Sequence, residues 1–118
     1  MAASMTLDAF IRQLESTPDS IAFDQTISLI DSLYNFNPTA FRNGTQHNDA
    51  GENTGSCKIL AFAQLNGLSE AETFACFGHY YRDDVLGDPL GSGHANIREF
   101  MRHGWPGVHF TTFPLQPI

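Results

Sequence analysis

Residues 53–67 read NTGSCKILAFAQLNG, and this stretch decides the fold. Positions 59–65 are apolar on almost every side, which is typical of a helix that is buried all round rather than along one stripe. Ser56 is a favoured N-cap residue and Gly67 a favoured helix stop, so we predict a helix over residues 57–66. We expect the rest of the chain to pack around this helix.

Four other segments carry apolar residues at the spacing of an amphipathic helix, and each is bounded by residues that favour a helix end. The predicted helices cover residues 6–16, 23–35, 69–82 and 94–103. Ser69 and Glu72 form a capping box at the start of the helix predicted over residues 69–82. Gly78 inside the same helix costs about 1 kcal/mol of helix propensity, and this cost predicts a close backbone approach at that residue.

The helical pattern disappears between residues 36 and 56, which are rich in glycine and asparagine. We predict an irregular segment here, with Thr39–Arg42 as a short strand that enters the Asn43-Gly44 turn. The tail, residues 108–113, alternates apolar and polar side chains and is a suitable partner strand. The expected fold is therefore mostly α: a single compact domain over residues 1–118, about five helices with a buried central one and a small two-stranded antiparallel patch.

The composition excludes several classes of protein. With 42% hydrophobic and 16% charged residues, the 118-residue chain is able to build a core. The net charge of −7 argues against nucleic-acid binding, and no apolar run approaches the length of about 18 residues that a membrane span needs. The start, MAASMTLDAF, lacks the basic and long apolar regions of a secretory signal, and two cysteines are too few for a disulfide scaffold. We expect a reduced, cytosolic protein that binds neither nucleic acid nor membrane.

Cys57 is a candidate nucleophile. If Ser56 caps the helix, Cys57 is its first residue, where the positive end of the helix dipole and the neighbouring Lys58 lower a thiol pKa. A histidine base, for which His94 is our candidate, and an orienting amide would complete such a site. Other available partners are His47, His79 and His103, with Asn43, Asn48, Asn53 and Asn96. The alternative, which we favour, is that this cysteine is a small buried hydrophobe in an apolar helix.

A cationic stripe is the best candidate for anion binding. His94, Arg98 and Arg102 recur at every fourth residue and fall on one helix face. Arg82 at the end of the previous helix and Asn43 in the glycine- and asparagine-rich segment are further candidate ligand-binding residues. Internal ion pairs are the competing interpretation, since the chain has 13 acidic residues and only 6 lysines and arginines.

One short motif has the spacing of a metal-ligand pair. Cys76 and His79 lie three residues apart on one helical turn. A structural zinc site needs four ligands in paired local spacings, and only this one pair is present. We therefore predict neither zinc nor another cofactor.

Four stretches resemble the HopJ-type type III effector family. They are PTAFRNG (38–44), AGENTGSCKILAFAQL (50–65), ACFGHYYRDDVL (75–86) and HANIREFMRHGW (94–105), and the resemblance spans about residues 23–112. It implies an effector-type protein, named for proteins of plant-pathogenic bacteria that are delivered into host cells. It implies no catalytic residues.

Three functions remain open from the sequence. The leading hypothesis is non-enzymatic binding of a protein partner, in the cytoplasm or in a host cell after delivery by a type III system. Tyr80-Tyr81-Arg82 is compatible with it, because tyrosine and arginine are enriched at interface hot spots, but such residues are equally common as core aromatics with a polar tip. The alternatives are a cysteine hydrolase or transferase that uses Cys57, and anion or small-ligand binding at His94, Arg98 and Arg102.

Overall fold

The computed structural model describes residues 6–118. Residues 1–5 lie outside the described residues. They make up half of the N-terminal stretch, MAASMTLDAF, on which the argument against a secretory signal rests. The helices are α1 (Leu7–Ser16), α2 (Phe23–Leu33), α3 (Thr54–Leu65), α4 (Glu70–Cys76) and α5 (Ala95–His103), with a π-helical turn at Tyr80–Val85 and 3₁₀ turns at Pro18–Ser20 and Trp105–Gly107. The strands are β1 (Tyr34–Phe36), β2 (Phe41–Asn43), β3 (Gln46–Asn48), β4 (Val108–Phe110) and β5 (Leu115–Pro117). The predicted, mostly helical fold class is confirmed.

Helix α3 is the centre of the core, as its composition predicted. The five consecutive side chains from Ile59 to Ala63 are each 0% exposed, so no face of this part of the helix meets solvent. Phe10 of α1 packs edge-on against Phe62, with ring centroids 5.9 Å apart, and Tyr34 does the same at 6.2 Å. Aromatic residues from elements far away in the sequence therefore pack on α3 at Phe62.

The predicted antiparallel strand pair is confirmed and is part of a larger sheet. Strand β2 pairs with β4 in the register Phe41 to Phe110, and β3 adds to the other edge of β2 through the turn at Gly44. Strands β1 and β5 form a separate ribbon that the sequence did not predict. These strands are three residues long, too short for alternation of side chains to be recognised.

Three helix boundaries were predicted wrongly. Helix α2 ends at Leu33 rather than residue 35, because the next three residues pair with β5. Helix α3 begins at Thr54, three residues before the predicted start. The helix predicted to run to residue 82 ends at Cys76, where Gly78 turns the backbone into the left-handed region (φ 61°).

The close backbone approach predicted at Gly78 is confirmed. A Cβ atom on this residue would lie 2.6 Å from the backbone nitrogen of Phe23 at the start of α2. Glycine thus permits both the turn and the contact. Within residues 6–118, no helix has the length and hydropathy needed to cross a membrane.

Candidate functional site

Cys57 lies in the core and not at the start of its helix. Because α3 begins at Thr54, Cys57 is its fourth residue, and its N–H donates to the Asn53 carbonyl at 3.0 Å. The side chain is 2% exposed and belongs to a cluster with Phe41 and Leu60. Burial raises the pKa of the thiol to about 11, so the thiolate is disfavoured at neutral pH. The premise that this cysteine is the first helical residue was wrong.

The histidines proposed as its base have other neighbours. No hydrogen bond joins Cys57 to a histidine within the described part of the chain. The observed partners are Asp49 for His47 (3.1 Å), Asp84 for His94 (3.0 Å), Glu99 for His103 (3.8 Å) and the Tyr80 ring for His79 (centroids 4.2 Å apart). No observation therefore favours the cysteine hydrolase or transferase.

The cationic stripe does not form one site, because its members have separate partners. Arg98 is buried and donates through Nε to the Gly93 carbonyl and through Nη1 to the Asp88 carbonyl (2.9 Å), so it fixes the loop before α5. Arg102 is 66% exposed and pairs with Glu99 at 2.8 Å. Arg82 lies elsewhere, in a groove described below.

The four candidate asparagines do converge, but on one another. Asn48 and Asn96 exchange amide hydrogen bonds of 3.0 and 3.2 Å. Asn53 donates to the Asn48 Oδ1 at 2.7 Å, and Asn43 donates to the Asn96 carbonyl at 2.7 Å. This amide network joins the β2–β3 hairpin to the starts of α3 and α5. Residue type alone identified its members, because hydrogen bonding between distant amides leaves no spacing pattern in a sequence.

The amide network brings two unusual helix starts together. The N-cap residues Asn53 (φ 49°) and His94 (φ 56°) are the two described non-glycine residues with a left-handed backbone. Neither caps its helix with a side-chain hydrogen bond. Among residues 6–118, no acceptor is found for the backbone N–H groups of Thr54, Gly55, Ser56, Ala95 and Asn96. Backbone strain of this kind is concentrated at functional sites.

Both helix starts open into one pocket of about 300 Å³, which we call the anion pocket. Its lining consists of Phe23, Asn53, Gly55, Ser56, Phe77, Tyr80, His94, Ala95, Asn96 and Ile97. Tyr80 packs edge-on against Phe23 (4.9 Å) and lies against the His94 ring (5.1 Å), so one wall is aromatic. The free N–H groups and the positive ends of two helix dipoles suit a phosphate or carboxylate group. Of the predicted ligand-binding residues, only His94 lines this pocket.

No group of three or more metal-ligating side chains occurs within residues 6–118. The absence of zinc stays a prediction.

Comparison with known proteins identifies the family. The model of the HopJ type III effector protein family matches residues 7–115, nearly the whole chain, and the protein belongs to this family. It is similar to VPA0580, a protein of unknown function with a crystal structure, at 47% sequence identity and a TM-score of 0.96. That match covers 100% of this chain and 98% of the other. No curated protein matches the sequence significantly.

Proposed function

We propose that this HopJ-family protein acts by binding a protein partner, without catalysis, and that the anion pocket holds a phosphate or carboxylate group of that partner. One observation carries the proposal: two helix starts without side-chain caps meet at a single pocket. Family membership supports an effector-type role, which would be exercised in the cytoplasm or in a host cell after type III delivery.

The expected strength of the anion contact explains why a protein partner is needed. A helix N-terminus stabilises an anion by about 0.3–1 kcal/mol at the surface and up to about 2 kcal/mol when partly buried. Two helix starts therefore supply on the order of 1–4 kcal/mol, which by itself corresponds to a dissociation constant of about 1 mM or weaker. The net charge of −7 provides no general attraction for anions, so the selectivity must come from these local groups. Further contacts with a partner would supply the remaining affinity.

The test is an NMR titration of the labelled protein with inorganic phosphate, acetyl-phosphotyrosine amide and acetyl-glutamate amide. We expect saturable shifts of the amide signals of Thr54–Ser56 and Ala95–Asn96. Each of the two peptide-borne anions should bind more tightly than phosphate at a pH at which it and phosphate carry the same charge. The reason is that the aromatic wall contacts the organic part of the peptide-borne anion. Equal or weaker binding of both would contradict recognition of a protein partner, and absence of shifts at both helix starts would contradict the anion pocket.

A pair of matched variants separates the pocket from general electrostatics. Ala95→Asp places a carboxylate at the first position of α5, where it would occupy the positive end of the helix and repel a bound anion while leaving the helix stable. Ala9→Asp adds the same charge to the first turn of α1, and both alanines are exposed. We expect Ala95→Asp to weaken phosphate binding by about tenfold and Ala9→Asp to leave it nearly unchanged. Equal effects of the two substitutions would overturn the proposal.

A further inference from the structure

A second groove lies on the other side of the π-helical turn. Consecutive residues of this turn line different cavities. Tyr80 lines the anion pocket, whereas Tyr81 and Arg82 line a groove of about 460 Å³. Its apolar lining includes Leu14, Pro18, Phe74 and Ala75. The Tyr81 ring stacks on Phe74 with centroids 4.7 Å apart and planes inclined by 14°, so the groove has a flat aromatic wall. We call it the Arg82 groove.

Arg82 has a donor without an acceptor. Its Nη2 donates to the Ile21 carbonyl at 2.9 Å, which anchors the side chain. Its Nη1 is buried and finds no hydrogen-bond partner within residues 6–118. Leaving a charged donor unsatisfied costs free energy, and an oxygen acceptor supplied by a ligand would recover it once the guanidinium turns its buried Nη1 toward the groove. π-helical turns are themselves frequent at functional sites.

The charges around the groove limit what the acceptor can be. Asp19 and Glu72 line the same groove, and neither forms an ion pair with Arg82 within 4.0 Å. Two carboxylates against one guanidinium disfavour an anionic ligand and favour a cationic group nearby. The acceptor for Arg82 should therefore be neutral, as a peptide carbonyl is.

We propose that the Arg82 groove binds a peptide segment of a partner protein that carries an apolar side chain next to a lysine or arginine. The apolar side chain packs on Tyr81 and Phe74, a backbone carbonyl accepts from the Arg82 guanidinium, and the basic residue lies beside Asp19 and Glu72. This site is separate from the anion pocket, and binding at either one does not require the other.

Three blocked pentapeptides test the proposal by NMR titration: Ala-Leu-Lys-Leu-Ala, Ala-Leu-Glu-Leu-Ala and Ala-Ser-Lys-Ser-Ala. We expect the first to shift the amide signals of Ala75, Tyr81 and Arg82 saturably and to bind at least about fivefold more tightly than the other two. The signals of Thr54–Ser56 should not move, which keeps the result distinct from a test of the anion pocket. Failure of the first peptide to bind, or equal binding of the glutamate peptide, would overturn the proposal.

Substitutions at the rim of the groove locate the binding. Ala71→Trp fills the groove from an exposed position of α4, whereas Ala9→Trp makes the same change at an exposed position of α1 that does not line it. We expect Ala71→Trp to lower the affinity for the lysine peptide by about tenfold or more, and Ala9→Trp to leave this affinity nearly unchanged. Asp19→Asn should reduce the preference for lysine over glutamate. Equal binding by the two tryptophan variants, or an unchanged preference in Asp19→Asn, would contradict the proposal.

Discussion

At the scale of single residues, burial decides the chemistry of the two thiols. Cys57 and Cys76 are both free and buried, at 2% and 0% exposure. Burial, together with the nearby negative charge of Glu72, raises the pKa of Cys76 to about 12, against the opposing effect of a hydrogen bond with Thr26. A cysteine close to a helix start is reactive only if the helix dipole outweighs desolvation, and here desolvation dominates.

Cys57→Ser tests this assignment through stability. The added hydroxyl would be buried beside Phe41 and Leu60, so we expect the free energy of unfolding to fall by about 1–3 kcal/mol. Cys57→Ala introduces no polar group and should cost less. Urea denaturation followed by circular dichroism gives both values.

Alkylation of the native protein at neutral pH gives a second measurement. Both native cysteines should react slowly until the chain unfolds, whereas an introduced Ser28→Cys on the exposed surface of α2 should react at once. Fast labelling of Cys57 together with unchanged stability of Cys57→Ser would contradict its assignment to the core.

At the scale of elements, the break between α4 and the π-helical turn positions both cavities. In a continuous α-helix, the side chains of Tyr80 and Tyr81 would point in directions about 100° apart around a single helix axis. The left-handed Gly78 instead redirects the chain, and the wider turn that follows directs Tyr80 to the anion pocket and Tyr81 to the Arg82 groove. The geometry of both sites therefore depends on one glycine.

Gly78→Ala should destabilise the protein for two reasons, and a second glycine separates them. A left-handed backbone costs an alanine about 1–2 kcal/mol, and the new Cβ would also lie 2.6 Å from the Phe23 nitrogen. Gly67 has a similar φ of 66° but no atom within 4 Å of the Cβ position, so Gly67→Ala should show only the backbone cost. We expect the larger loss of unfolding free energy in Gly78→Ala. Equal losses would show that the close approach to α2 contributes nothing.

At the scale of the whole molecule, local features were predictable and contacts between distant segments were not. The capping box of Ser69 and Glu72 is present as predicted, with reciprocal hydrogen bonds of 3.0 and 2.8 Å, because all of its atoms lie within one turn. The ribbon of β1 and β5 joins residues about 80 positions apart, and nothing in either three-residue strand indicates the other. The anion pocket was missed for the same reason: the amide of Asn48 meets that of Asn96 only after the chain has folded.

We expect the stability of the protein in acid to depend on a contact between distant segments, the one made by Glu99. Exposed ion pairs such as the one between His47 and Asp49 contribute little. Glu99 differs because it is 4% exposed and joins α5 to the β2–β3 turn. It accepts hydrogen bonds from the Thr45 hydroxyl, from the Thr45 N–H (2.6 Å) and from Arg102 (2.8 Å). These bonds, the Thr45 hydroxyl foremost, hold the pKa of this carboxyl below its usual value of 4.5.

Glu99→Gln should therefore destabilise the protein in a pH-dependent way. A carboxyl whose pKa is lower in the folded state contributes stability that is fully present above the unfolded pKa near 4.5 and is lost as the pH falls through the folded pKa. We expect the variant to unfold more easily by about 1–3 kcal/mol near neutral pH, with a difference that shrinks as the solution is acidified below 4.5. Urea denaturation across this range measures it, and Glu15→Gln, at an exposed position of α1, should show no such difference at any pH. A deficit of Glu99→Gln that stayed constant on acidification would mean that the carboxylate charge does not hold the hairpin to α5.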